Sequence, residues 1–100
     1  MKKIKSQDEF EVLRKLNKDT KSSQREMAKQ LGFSLGKLNY CLKALQEKGL
    51  IKIKNFKKNP KKSNYLYFLT PQGIKEKTNL TLNFMKRKMR EYDELKKEIE

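Results

Sequence analysis

Two stretches with apolar residues at helical spacing meet across only Gly32 and Phe33, and this short crossing limits the fold more than any other feature of the chain. Ser23-Gln24-Arg25-Glu26 has the form of a capping box, in which the Ser hydroxyl and the Glu carboxylate satisfy free backbone donors at a helix start. Met27, Ala28 and Leu31 then share one face. Gly32 suits the left-handed position that ends a helix, and Phe33 is placed to fold back on the helix it leaves. Ser34 is placed to cap the next helix, where Leu35, Leu38, Leu42 and Leu45 recur at spacings of three and four and Gly49 stops the run. Two helices joined so tightly must pack against each other.

The flanking segments complete a topology. Upstream, Ser6-Gln7-Asp8-Glu9 reads as another capping box, followed by an apolar stripe of Phe10, Leu13 and Leu16 that closes at Asn17-Lys18-Asp19. Downstream, Leu50 to Phe56 alternates apolar and basic residues, and Tyr65 to Leu69 is a shorter run of aromatic and apolar residues, so both read as strands. The loop between them, Lys57 to Asn64, holds four Lys and no acid. Thr70-Pro71-Gln72-Gly73 restarts helix, with Thr as cap and Pro at the first helical position. Leu82, Met85, Met89, Tyr92, Leu95 and Ile99 then form a stripe resembling a short coiled-coil seam. The expected fold is mainly α with a small β-hairpin: a winged helix-turn-helix with a long C-terminal helix. Residues 1–73 would form the winged domain and residues 74–100 a dimerisation helix.

Charge narrows the function. The 100 residues contain 26 Lys plus Arg against 12 Asp plus Glu, a formal net charge of +14. Between Lys21 and Asn64 there are 12 basic and 2 acidic residues, whereas from Lys75 to Glu100 there are 8 and 6. A basic helix-turn-helix region favours a polyanion, although lysine enrichment also serves simple solvation. With no His and one Cys, the chain can build neither a Ser-His-Asp or Cys-His catalytic set nor a Cys/His zinc site. No carboxylate pair or phosphate-cradling Gly loop is evident, so the expectation is no enzyme, no cofactor and no metal. The first residues run from basic to acidic without an apolar stretch, and no window reaches membrane-spanning length, so the expected location is the cytoplasm.

The segments Ser22 to Leu31, Ser34 to Leu45, Glu47-Lys48-Gly49-Leu50-Ile51 and Leu69-Thr70-Pro71-Gln72-Gly73 together resemble MarR-type winged-helix transcriptional regulators. The Asn39-Tyr40-Cys41-Leu42-Lys43 core resembles a narrower subgroup associated with exopolysaccharide (EPS) genes. The resemblance implies base-reading positions at Gly36, Lys37, Asn39 and Tyr40. The family's further N-terminal helix has no counterpart ahead of the first stripe, and Lys61-Lys62 stand in place of its Asp-Arg-Arg wing tip. Lys lacks the bidentate fork, so this wing should hold phosphates more than read bases.

The leading expectation is a transcriptional regulator binding double-stranded DNA at a short inverted repeat, as a homodimer through Leu82, Met85, Met89, Tyr92, Leu95 and Ile99. Asn39 could pair with adenine, Lys37 could reach guanine, and Gly36 would admit close backbone approach, with Ser34 and Lys43 beside them. Ser22, Ser23, Gln24 and Arg25 would grip phosphate at a helix N-terminus, and Lys57, Lys58, Lys61 and Lys62 would lie along the adjacent backbone. Plainer readings stand beside these. Ser23 can serve only as a cap, Tyr40 as a half-buried ring, Cys41 as a small core residue, and the last helix can fold back on the first. A winged-helix module for an acidic protein, or for structured RNA, is the alternative function.

Overall fold

In the computed structural model, residues 4–18, 23–55 and 65–100 are described. Helix α1 (Ser6–Lys18), α2 (Gln24–Leu31) and α3 (Leu35–Glu47) are followed by β1 (Ile51–Asn55), β2 (Tyr65–Leu69) and α4 (Pro71–Glu98). The expected order of three helices, a hairpin and a long helix is the observed one.

The tight crossing forms as its residues require. Ser23 adopts extended backbone and its hydroxyl accepts from Glu26 N at 3.2 Å, which starts α2. Gly32 ends it at φ 73°, in the left-handed region where a Cβ would add strain. Phe33 N donates back to Ala28 O at 2.8 Å, so the chain reverses against the helix it has just left. Ser34 then caps α3, its hydroxyl accepting from Lys37 N at 3.0 Å. With both ends satisfied locally, no longer loop is needed.

The core gathers Val12, Leu13 and Leu16 of α1, Met27 and Ala28 of α2, and Leu38, Cys41, Leu42 and Leu45 of α3. Leu50, Ile51 and Tyr67 close it from the hairpin side. The hairpin is antiparallel, with Ile51 opposite Leu69 and Ile53 opposite Tyr67. Period-two alternation sends Ile51 and Ile53 toward the core and leaves Lys52 and Lys54 exposed.

The junction between α3, the hairpin and α4 is a single interlocked unit. Thr70 caps α4 by accepting from Gly73 N at 3.0 Å, and its hydroxyl donates to Gly49 O at 2.7 Å. Thr70 N also donates to Leu50 O at 3.0 Å. Gly73 lies so close to Leu50 that a Cβ there would fall 2.0 Å from the Leu50 carbonyl oxygen. The Lys48-Gly49-Leu50-Ile51 and Thr70-Pro71-Gln72-Gly73 motifs are thus the two halves of one contact.

Several expectations need correction. Helix α1 begins at Ser6 itself, with Lys5 O accepting from Glu9 N at 2.9 Å, so Ser6 is a helical residue and not the cap. The Glu9 carboxylate does not close a capping box: it is nearly buried and pairs with Lys48 Nζ at 3.3 Å. Leu35 leaves the expected stripe and is 39% exposed, whereas Cys41, not counted in that stripe, is buried beside Leu38, Leu42 and Leu45. The first strand starts at Ile51, since Leu50 belongs to the junction; Phe56, like Asp19, lies outside the described residues.

The last helix divides in two. Its near part folds against α1, with Leu80 packed on the core and Phe84 facing Phe10 at a ring separation of 5.4 Å. Its far part leaves Leu82, Met85, Met89, Tyr92, Leu95 and Ile99 between 50% and 86% exposed. The fold-back alternative therefore describes the near part alone.

Candidate nucleic-acid interface

Helix α3 packs on α1, α2 and β1, and those contacts consume one side of it. The opposite side carries Gly36, Asn39 and Lys43 at spacings of three and four, all exposed, with exposed Lys37 and half-buried Tyr40 on its shoulders. No part of α4 covers this side: α4 packs on α1 and β2. A Cβ at Gly36 would meet nothing within 4 Å, so the helix backbone is bare there and open to close approach.

Ser23, Gln24 and Arg25 stand at the start of α2, where unpaired backbone N–H groups and the helix dipole favour an anion. Ser23 and Ser34 both spend an oxygen lone pair on capping, which leaves each hydroxyl proton free to donate. Gln24 behaves differently from its sequence reading. Its side-chain amide donates to the hydroxyl of buried Tyr67, tying the start of α2 to the second strand. Arg25 is exposed. Ser22 and the loop lysines Lys57, Lys58, Lys61 and Lys62 lie outside the described residues.

Lys37 is also held within the molecule. Its ammonium lies 3.4 Å from the Asp8 carboxylate and 4.3 Å from the centre of the Phe33 ring. Asp8 and Glu9, one turn of α1, thereby reach Lys37 and Lys48 at the two ends of α3. Helical spacing in α1 gives no hint of these pairs, because the partners lie far away along the chain and the Ser-x-x-Glu pattern suggests a local role for Glu9. Sequence reading also passed over Lys52 and Lys54, whose alternation with Ile51 and Ile53 already marks them as the exposed side of β1. Lys54 stacks over Phe68 at 5.6 Å, with its charge still near solvent.

Cys41 is 1% exposed in the core. Burial, and then the negative Asp8 carboxylate, push its thiol pKa up, with Lys37 opposing. A thiol so held is a poor nucleophile, which fits a packing role.

A sequence-family model described as "Winged helix-turn-helix DNA-binding" matches residues 9–52, the span from α1 into β1. The fold is a winged helix-turn-helix. Comparison with curated proteins returns no match. Among solved structures, the winged helix resembles a Staphylococcus aureus MarR in complex with salicylate and kanamycin, at 22% identity and TM-score 0.70 over 87% of this chain and 57% of that one. It also resembles a MarR/EmrR-family transcriptional regulator from Acinetobacter sp. ADP1, at 18% identity and TM-score 0.71, covering 87% of this chain and 60% of the other. A third likeness is the transcriptional repressor CouR bound to a 23-mer DNA duplex, at 24% identity and TM-score 0.72 over 86% of this chain and 59% of that one. The chain spans little more than half the length of the first of these structures. No helix among the described residues is long and apolar enough to cross a membrane. No group of described His, Cys, Asp and Glu side chains could hold a metal ion.

Proposed function

We propose that this winged helix is a DNA-binding transcriptional regulator that places the exposed side of α3 in the major groove of a short inverted repeat. The observation that carries the reading is the uncovered run of Gly36, Asn39 and Lys43 on a helix whose Leu38, Cys41, Leu42 and Leu45 are buried in the core. Asn39 has the amide pair that matches adenine, and bare Gly36 lets the helix sit deep. Arg25 and the N-terminus of α2 hold phosphate on one flank. The hairpin, with Lys52 and Lys54 on β1 and the loop lysines Lys57, Lys58, Lys61 and Lys62 beyond, lies along the backbone on the other. Lys37 reaches the duplex by exchanging Asp8 for a phosphate or guanine. That the chain has a DNA-bound structural likeness in CouR supports the same use of the fold.

The far half of α4 joins two copies into a homodimer, which sets two α3 helices against half-sites about one turn, roughly 34 Å, apart. The resemblance of Ser34 to Leu45 implies exopolysaccharide genes as targets, and the genes beside its own are the first place to seek the operator. The deciding experiment is fluorescence anisotropy with random and selected duplexes across a salt series. Binding with a steep salt slope, tightened by several of the selected sequences, is the expected result. An Asn39→Ala variant should lose the preference for selected sequences while keeping its affinity for random DNA. Absence of any duplex binding at low salt would reject the reading in favour of an acidic protein partner.

A further inference from the structure

The modest net charge of the last helix conceals two blocks of opposite sign. Residues 86–90 contain Lys86, Arg87, Lys88 and Arg90 without an acid, and residues 91–95 contain Glu91, Asp93 and Glu94 without a base. Both blocks are exposed, and the bare stripe of Met85, Met89, Tyr92 and Leu95 runs through them. Resting on the dimer reading above, we infer that a second copy of the chain docks on this stripe in the antiparallel direction, and that the two charge blocks set that direction.

The stripe is nearly its own mirror image about a point midway between Arg90 and Glu91. Turned end for end, Leu82 meets Ile99, Met85 falls beside Leu95, and Met89 meets Tyr92. The same turn lays the basic block of each copy against the acidic block of the other, twice by symmetry. A parallel pair would instead set +4 beside +4 and −3 beside −3. Packed helix axes lie about 8–10 Å apart, close to the Debye length of about 8 Å at physiological ionic strength, so these block interactions are only partly screened. Within one helix the charges are poorly used: the Lys88–Glu91 pair is 3.5 Å long and more than half exposed on both sides. Antiparallel docking also sends the two winged bodies to opposite ends of the joint, because each body holds its own α4 along the near part, from Gly73 to Phe84.

Oxidative crosslinking of the full chain decides the direction. Leu82→Cys alone and Ile99→Cys alone should give no covalent dimer, whereas an equimolar mixture of the two should. In the antiparallel pair two residues at position 82 are separated by about 26 Å along the axis, far beyond the roughly 7 Å between Cα atoms that a disulfide spans. Buried Cys41 in the unsubstituted chain is the control for stray oxidation. Crosslinking of each variant by itself would overturn the inference in favour of a parallel pair, as would equal crosslinking in all arms or sedimentation of the unsubstituted chain as a monomer. Reversing the basic block with Lys86→Glu, Arg87→Glu, Lys88→Glu and Arg90→Glu should abolish the mixed crosslink, and adding Glu91→Lys, Asp93→Lys and Glu94→Lys to the same chain should restore it. Duplex binding measured on the same samples keeps the two readings apart: DNA affinity with parallel crosslinks would sink the direction alone, and crosslinks without DNA affinity would sink the regulator alone.

Discussion

The two halves of the last helix carry apolar residues at the same spacing, yet one half is folded into the molecule and the other stands clear of it. In the near half, Gly73 is buried against Leu50, Leu80 packs on the core and Phe84 faces Phe10. In the far half, Met85, Met89, Tyr92, Leu95 and Ile99 are 52% to 86% exposed. Periodicity shows that a helix has an apolar face; it does not say what covers that face. Here α1 is 13 residues long and α4 is 28, so the shorter helix runs out and leaves the longer one with surface to spare. Such surface favours association.

Substitutions that separate the halves should rank by how completely each side chain is enclosed. Leu45→Ala removes a fully buried core residue and should cost about 3–4 kcal/mol, seen as a lower midpoint in urea denaturation at any protein concentration. Gly73→Ala should cost about 2–3 kcal/mol, because the new methyl meets backbone and can be housed only by parting Leu50 from Thr70. In the far half, Met89→Ser should change the stability of dilute protein by less than about 0.5 kcal/mol while abolishing self-association in sedimentation. A large loss of stability from Met89→Ser in dilute protein would show that the stripe is covered within one chain, and the contrast between the halves would fail.

Smaller effects test the interface. Lys43→Ala should lower the salt slope of duplex binding by about 0.9, the share of one phosphate contact, and Lys75→Ala on α4 should leave it unchanged. At neutral pH the raised pKa of Cys41 should make its reaction with a disulfide reagent slower than that of free cysteine in folded protein, becoming ordinary in urea.

Most of the fold could be read from local chemistry. Ser23, Gly32, Ser34, Gly49 and Thr70 each act through backbone groups within a few residues, so their caps and turns are written where they occur. The reading failed where a side chain answers to a distant partner. Glu9 looks like a capping residue and is claimed by Lys48; Gln24 looks like a phosphate ligand and is turned toward Tyr67; Leu35 looks like core and no packed element among the described residues covers it.

The sequence by itself determined which segments are helix or strand, where they begin to within a residue, and that an unusual concentration of positive charge belongs to the middle of the chain. Hydrogen bonds to near neighbours and the alternation of apolar residues are short-range matters, and a linear order of residues is enough to specify them. Only the tertiary structure decided which apolar faces are covered and which charges are already paired. Those outcomes depend on elements distant along the chain arriving side by side, and on α1 ending before α4 does.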